Sequence, residues 1–251
     1  MLRLKRMAVL CVVLVFVITG FLFWALRAGG QQAGMTLPAP PQSAARLGVL
    51  STNSTHALNV TKGIVDGQWL AATAAETGIP ARALQAYATG AAAANHKDPA
   101  CGIGWNTVAA IGFVESAHGT YGGGSLPPAG QAAGPIVGPR LDGGGFAAIA
   151  DTDAGALDGD PHWDRAVGPM QFIPSTWQFA GRDGDGDGNA DPFNIDDAAV
   201  SAAVYLCGGG RDLVTDRGWA DAVHAYNQSD AYVAQVRETA TAYAASAQAV
   251  S

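Results

Sequence analysis

Met7 to Leu26 is a run of uncharged, mostly apolar residues, and a run of about 20 such residues matches a helix that crosses a bilayer. Arg3, Lys5 and Arg6 precede it and only Arg27 follows closely, which places residues 1–6 in the cytoplasm and the rest outside. A cleaved signal peptide, and hence a secreted protein, is the alternative; the length of the run and the lack of a small-x-small cleavage signal favour a retained single-pass anchor. Over 27–63 the apolar periodicity disappears, and Pro38, Pro40, Pro41 and a polar patch at Ser51–Thr55 predict a flexible or extended tether.

Helical spacing then takes over and predicts a folded domain over 64–248. Asp66 is placed to cap a helix through Trp69, Leu70 and Ala74, with Gly78 as its stop. Pro80 opens a second helix, Ala81 to Ala94, which carries Leu84 and Tyr87. From Trp105 to Val114 there is no charge, and Val108, Ile111 and Glu115 fall on one face at i, i+3 and i+7. Between Gly119 and Asp164 glycine and proline recur and no period persists, which predicts a long loop region with Ile136, Phe146 and Trp163 in an ordered lid or cleft wall. Most of its aspartates read as turn formers. Ser175 reads as the cap of a helix holding Trp177, and further helices are expected over 197–207, 219–226 and 230–248, the last capped by Ser229.

Composition adds three constraints. At 49% apolar the chain has material for a sizeable core. A net charge of −7 argues against nucleic acid as a partner. Cys101 and Cys207 are the only thiols beyond the apolar run, and an even pair in an oxidising compartment reads as a disulfide, whose loop of about a hundred residues contributes on the order of 4 kcal/mol.

Candidate chemistry centres on Glu115. A carboxyl set into an apolar helix face loses hydration, which raises its pKa toward working pH and makes it a general acid; the alternative is an acid at a helix end that points to water. Gly168, Pro169, Gln171 and Trp177 combine close backbone, an amide and an aromatic plate, which suits an uncharged, hydroxyl-rich ligand. Tyr226, Asn227 and Tyr232 cluster at a helix joint in a way that suits a sugar or acetamido group, and His224 beside them reads as structural. Asp183, Asp185 and Asp187 occupy positions 1, 3 and 5 of a loop with Gly188 at position 6, the opening of an EF-hand calcium loop. Position 12 is Asn194 where glutamate is expected; Asp197 is placed to close a longer loop, with Asp191 a ligand directly or through water.

Four separated motifs, Gly112 to Ser116, Ala166 to Trp177, the acidic loop running into Asp197-Ala198, and Tyr226 to Ser229, occur in one order. Over residues 64–245 the chain resembles the membrane-bound lytic murein transglycosylases of the B type, particularly their exported actinobacterial relatives. The resemblance implies a mainly α, lysozyme-like domain with a Gly/Pro-rich loop region and an EF-hand-like calcium loop, acting on peptidoglycan glycan strands. It implies cleavage of the N-acetylmuramic acid–N-acetylglucosamine β-1,4 bond to 1,6-anhydromuramic ends. Glu115 is then the sole catalytic acid/base, with Gln171, Tyr205, Asn227, Tyr232 and Tyr87 in the cleft. Asp183, Asp185, Asp187, Asp197 and the carbonyl of Asn189 form a structural Ca2+ shell; no organic cofactor is expected, and cell-wall synthesis or division proteins are candidate partners. A departure stands at His162-Trp163-Asp164, where some relatives carry a small hydroxyl residue. The competing readings are a hydrolytic lysozyme using Asp160 or Asp164 as second carboxylate, and a noncatalytic peptidoglycan-binding module.

Overall fold

The computed structural model describes residues 37–47, 65–145 and 147–248. The chain falls into two units, Met1–Leu37 and Pro38–Ser251. The anchor expected at 7–26, most of the tether and Phe146 lie outside the described residues. Among the described residues no helix is long and apolar enough to cross a membrane.

The first helix, α1 (Gly67–Thr77), begins where the Asp66 carboxylate accepts the Trp69 N–H at 2.8 Å and stops at Gly78, whose φ of 71° turns the chain out of the helix. Helix α2 (Ala81–Lys97) follows Pro80 and runs to His96 and Lys97, three residues past the expected end. The Lys97 cation in the last helical turn is favoured by the helix dipole, and the Asn95 side chain clasps the backbone of Ile103 from both sides. Helix α3 (Trp105–Ser116) is buried all round from Trp105 to Gly112, so its apolar residues form a core helix and not the single stripe expected from spacing.

Helices α2 and α5 (Ile195–Cys207) form the most extensive helix pair. Gly90 permits their backbones to approach, since a Cβ there would lie 2.8 Å from the Ala199 carbonyl oxygen. Helix α5 starts two residues earlier than expected because Asn194 Oδ1 caps the Asp196 N–H at 2.9 Å. Helix α6 (Asp216–Tyr226) likewise starts early, on a Thr215 cap, and α7 (Asp230–Gln248) starts on Ser229. Short α4 (Pro174–Ala180) departs from expectation: proline itself takes its first turn, where no N–H is needed, and Ser175 caps nothing.

Within the expected loop region lies a small antiparallel pair, β1 (Val137–Arg140) and β2 (Arg165–Val167), with Arg140 opposite Arg165. Strands this short, one of them containing Gly138 and Pro139, carry too little alternation to be read from sequence. The aspartates around them mostly hold turns: Asp151 accepts from the N–H groups of Asp153, Ala154 and Gly155, and Asp153 from those of Ala156 and Leu157.

Residues 38–47, assigned to a tether on composition, lie along the domain. Buried Asn106 explains why: its Oδ1 accepts the Ser43 N–H, and its amide donates to the carbonyls of Pro41 and Ala240. Gln42 Oε1 accepts from Gly104 N and Thr107 Oγ1. A buried amide left without these partners would carry a desolvation cost of about 1–3 kcal/mol.

Cys101 and Cys207 are joined, with 5.4 Å between their Cα atoms and a sequence separation of 106. Replacing both by serine is expected to lower the free energy of unfolding by about 2–5 kcal/mol, measured by chemical denaturation under nonreducing conditions.

Candidate active site

Helix α3 ends abruptly. Ala117 and His118 take φ values of 49° and 61°, a left-handed conformation that costs roughly 1–2 kcal/mol per residue without glycine. Their N–H groups return to the carbonyls of Phe113 and Gly112, each at 2.9 Å. Ser116 fixes the turn from the other side, its hydroxyl donating to the Pro169 carbonyl at 2.6 Å while accepting the Gly119 N–H at 2.7 Å. His118 is buried, its Nδ1 3.2 Å from the Tyr87 hydroxyl and its Nε2 2.9 Å from that of Tyr243. Burial pushes the imidazole down to about 4, so the ring is neutral at neutral pH.

This turn holds Glu115 on the wall of a cleft of about 570 Å3, which Val114, Val137, Gly138, Arg165 and Gln171 also line. Glu115 is the single carboxylate among the described lining residues. As a residue it keeps part of its surface open, but its carboxyl end is closely packed, and that burial sets its proton affinity. Its pKa is raised from 4.5 to about 7 by desolvation, with the Tyr232 hydrogen bond pulling the other way. The Tyr232 hydroxyl donates to Glu115 Oε1 at 2.5 Å, so the first turn of α7 is pinned to the last turn of α3. Tyr226 is fixed behind it by donation to the Met170 carbonyl at 2.8 Å and by edge contacts with Phe172 and Tyr205.

Gln171 reaches the same cleft with a φ of 50°, its side-chain amide donating to the Gly168 carbonyl at 2.9 Å. Gly138 on β1 must lack a side chain here, since a Cβ would lie 2.8 Å from Gln171 Oε1. The amide oxygen therefore faces β1.

The structure thus brings Glu115, Gln171 and Tyr232 together. Asn227, exposed at the end of α6, makes no side-chain hydrogen bond among the described residues. Tyr205 donates its hydroxyl to the Ala225 carbonyl and supports Tyr226 without lining the cleft. Tyr87, expected in the cleft, is instead fully buried against Gly112 and His118 and presents nothing to a ligand. Asp160 is paired with Arg140, and Asp164 is buried on the Thr152 N–H and hydroxyl. Neither lines the cleft. Arg165 and the clamping role of Ser116 were missed by sequence reasoning, because one depends on strand register and the other on a contact across 53 residues. A larger cavity of about 630 Å3, at the ends of α2 and α5, shares no lining residue with the cleft.

The acidic loop gathers the carboxylates of Asp183, Asp185 and Asp187 within 4.8 Å of one another. Asp197, in the first turn of α5, closes the loop by accepting the N–H groups of Gly184, Asp185 and Asp191. Burial raises Asp197 to about 6, and the neighbouring Asp185 charge adds to the shift. An all-oxygen donor set with converging negative charge fits a hard divalent cation such as Ca2+. Asn189 is exposed at the loop's end, with its N–H on Asp187 Oδ1.

Folding raises the proton affinity of Glu115, so its contribution to stability is full below 4.5 and is lost as pH rises through about 7. Relative to Glu115→Gln, the wild type is therefore expected to lose stability across that window in pH-dependent melts. Glu76, Glu115 and Glu238 are the only glutamates in the chain, so carboxyl 13C NMR can follow Glu115 directly. Its midpoint should lie near 7 and move upward in Tyr232→Phe.

No curated protein matches the chain. Among solved structures, the Escherichia coli lytic transglycosylase Slt35 in complex with bulgecin A is similar at a TM-score of 0.42 and 14% identity, over 73% of this chain and 80% of that one. Residues 150–248 match the Transglycosylase SLT domain family, a span that contains Gln171, the acidic loop and Tyr232 but stops short of the helix carrying Glu115.

Proposed function

We propose that this protein is a lytic transglycosylase that cleaves the β-1,4 bond between N-acetylmuramic acid and N-acetylglucosamine in peptidoglycan. The observation that carries the reading is a solitary cleft carboxyl whose proton is retained up to about 7. A retaining hydrolase needs a second carboxyl roughly 5 Å away, and the described cleft residues offer none. A noncatalytic wall-binding module has no use for an acid whose ionisation the fold suppresses. The motif set resembles the membrane-bound B type in exported actinobacterial relatives, with the Met7–Leu26 run holding the domain outside the membrane.

In the proposed reaction Glu115 gives its proton to the leaving O4 of N-acetylglucosamine as the glycosidic bond breaks, and the substrate's own N-acetyl group assists at C1. The Glu115 carboxylate then takes the proton of the muramic C6 hydroxyl, whose oxygen bonds to C1 and closes a 1,6-anhydro ring. Glu115 ends as it began, and no water is consumed. Tyr232 holds the carboxyl in place through both transfers, and Gln171 and Asn227 orient the sugar. Asp183, Asp185, Asp187 and Asp197, with the carbonyl of Asn189, would hold a Ca2+ ion, which would neutralise their charge at the start of α5, remote from the chemistry.

Digestion of purified sacculi followed by mass spectrometry tests the reaction. The products are expected to carry anhydro ends, one water lighter than hydrolysis products, and Glu115→Gln should lower the rate by about 10²–10⁴-fold. Fully hydrated reducing ends would overturn the reading in favour of a lysozyme. For the cation, excess chelator is expected to lower the melting temperature by roughly 5–10 °C from its value in calcium at a hundred times Kd.

A further inference from the structure

Arg165 carries a charge that the fold leaves unanswered. It sits on β2 directly opposite Arg140, an arrangement of like charges that destabilises a strand pair unless each cation finds a partner. Arg140 has one in Asp160. Arg165 does not: its Nε donates to the Gly138 carbonyl at 2.7 Å, and no carboxylate forms an ion pair with it among the described residues. Asp158 is engaged with the Arg165 backbone N–H at 2.6 Å. The Nε bond orients the guanidinium and leaves its two terminal nitrogens free to act as a fork.

Arg165 lines the Glu115 cleft, where it is the only cation among the described lining residues. A half-buried arginine with a fixed Nε and unfilled terminal donors is built to take a carboxylate through two parallel hydrogen bonds. The main chain of the glycan is uncharged, so the anion must come from the arm attached to the muramic ring. We infer that Arg165 is a specificity-determining residue that binds a carboxylate on the lactyl arm of the substrate, either the lactyl carboxylate itself or one on the peptide attached to it. This rests on the peptidoglycan reading above and adds to it a reason for the cleft to prefer muramic acid-bearing strands over uncharged glucosamine polymers.

The test couples the residue to the charge on the substrate. Soluble glycan strands are prepared with peptides attached or with peptides removed by an amidase, which frees the lactyl carboxylates, and each is used before and after amidation of its carboxyls. Binding is measured by calorimetry to the full-length Glu115→Gln protein and to the Glu115→Gln, Arg165→Gln double variant. Amidation should weaken binding to the single variant by about tenfold or more and to the double variant by less than about twofold. Coupling confined to peptide-free strands identifies the lactyl carboxylate as the ligand; coupling confined to peptide-bearing strands identifies the peptide. Arg165→Lys, which keeps the charge but not the fork, should retain part of the sensitivity, and thermal melts of each variant guard against a folding defect. An equal effect of amidation on both proteins, or none on either, overturns the inference while leaving the peptidoglycan reading intact. Failure of the single variant to bind any strand would sink both.

Discussion

The site depends on one constraint, the hydrogen bond from the Tyr232 hydroxyl to Glu115 Oε1 in surroundings too dry to favour a free carboxylate. Burial by itself drives the acid toward neutrality, and the tyrosine restrains that drive so that the proton is held near 7. The same bond joins two helices remote in sequence, so proton affinity and helix packing are set by one contact. The rest of the site secures the position of its two ends. Ser116 and the left-handed turn at Ala117-His118 fix the end of α3, and the Ser229 cap fixes the start of α7.

His118 takes part through an unusual economy of groups. It sits between two phenols with a neutral ring, able to donate from one nitrogen and accept at the other. Tyr87 is thereby pressed against Gly112, one turn below Glu115, where a Cβ would lie 2.2 Å from its hydroxyl. Beneath the solvent-facing cleft lies a polar layer in which each of these groups is satisfied. That layer explains why a tyrosine expected to touch sugar is found inside the core.

Legibility in the sequence followed the range of the interactions involved. Helix caps such as Asp66 and Ser229 act over three residues and could be read from residue types at fixed offsets. The pairing of Cys101 with Cys207 followed from there being no other thiols beyond the apolar run. Glu115 was visible because an acid in an uncharged helix is conspicuous on its own. What could not be read were features set by long-range register: the β1–β2 pair, the cation it leaves on the cleft wall, the Ser116 contact with Pro169, and the docking of residues 38–47. Composition alone made that last segment look solvated, since nothing near it in sequence announces that Asn106 needs partners.

The docking of 38–47 also has a mechanical side. Its bonds run from the Ala39 N–H to Asp216 at the start of α6, to the first turn of α3 and, through Asn106, to Ala240 on α7. Tension entering the domain from the N-terminal side of residue 38 therefore meets the start of α6 at Asp216 and then the two helices that carry the acid and its tyrosine. In a protein held at that end, load and proton chemistry would share the same pair of beams.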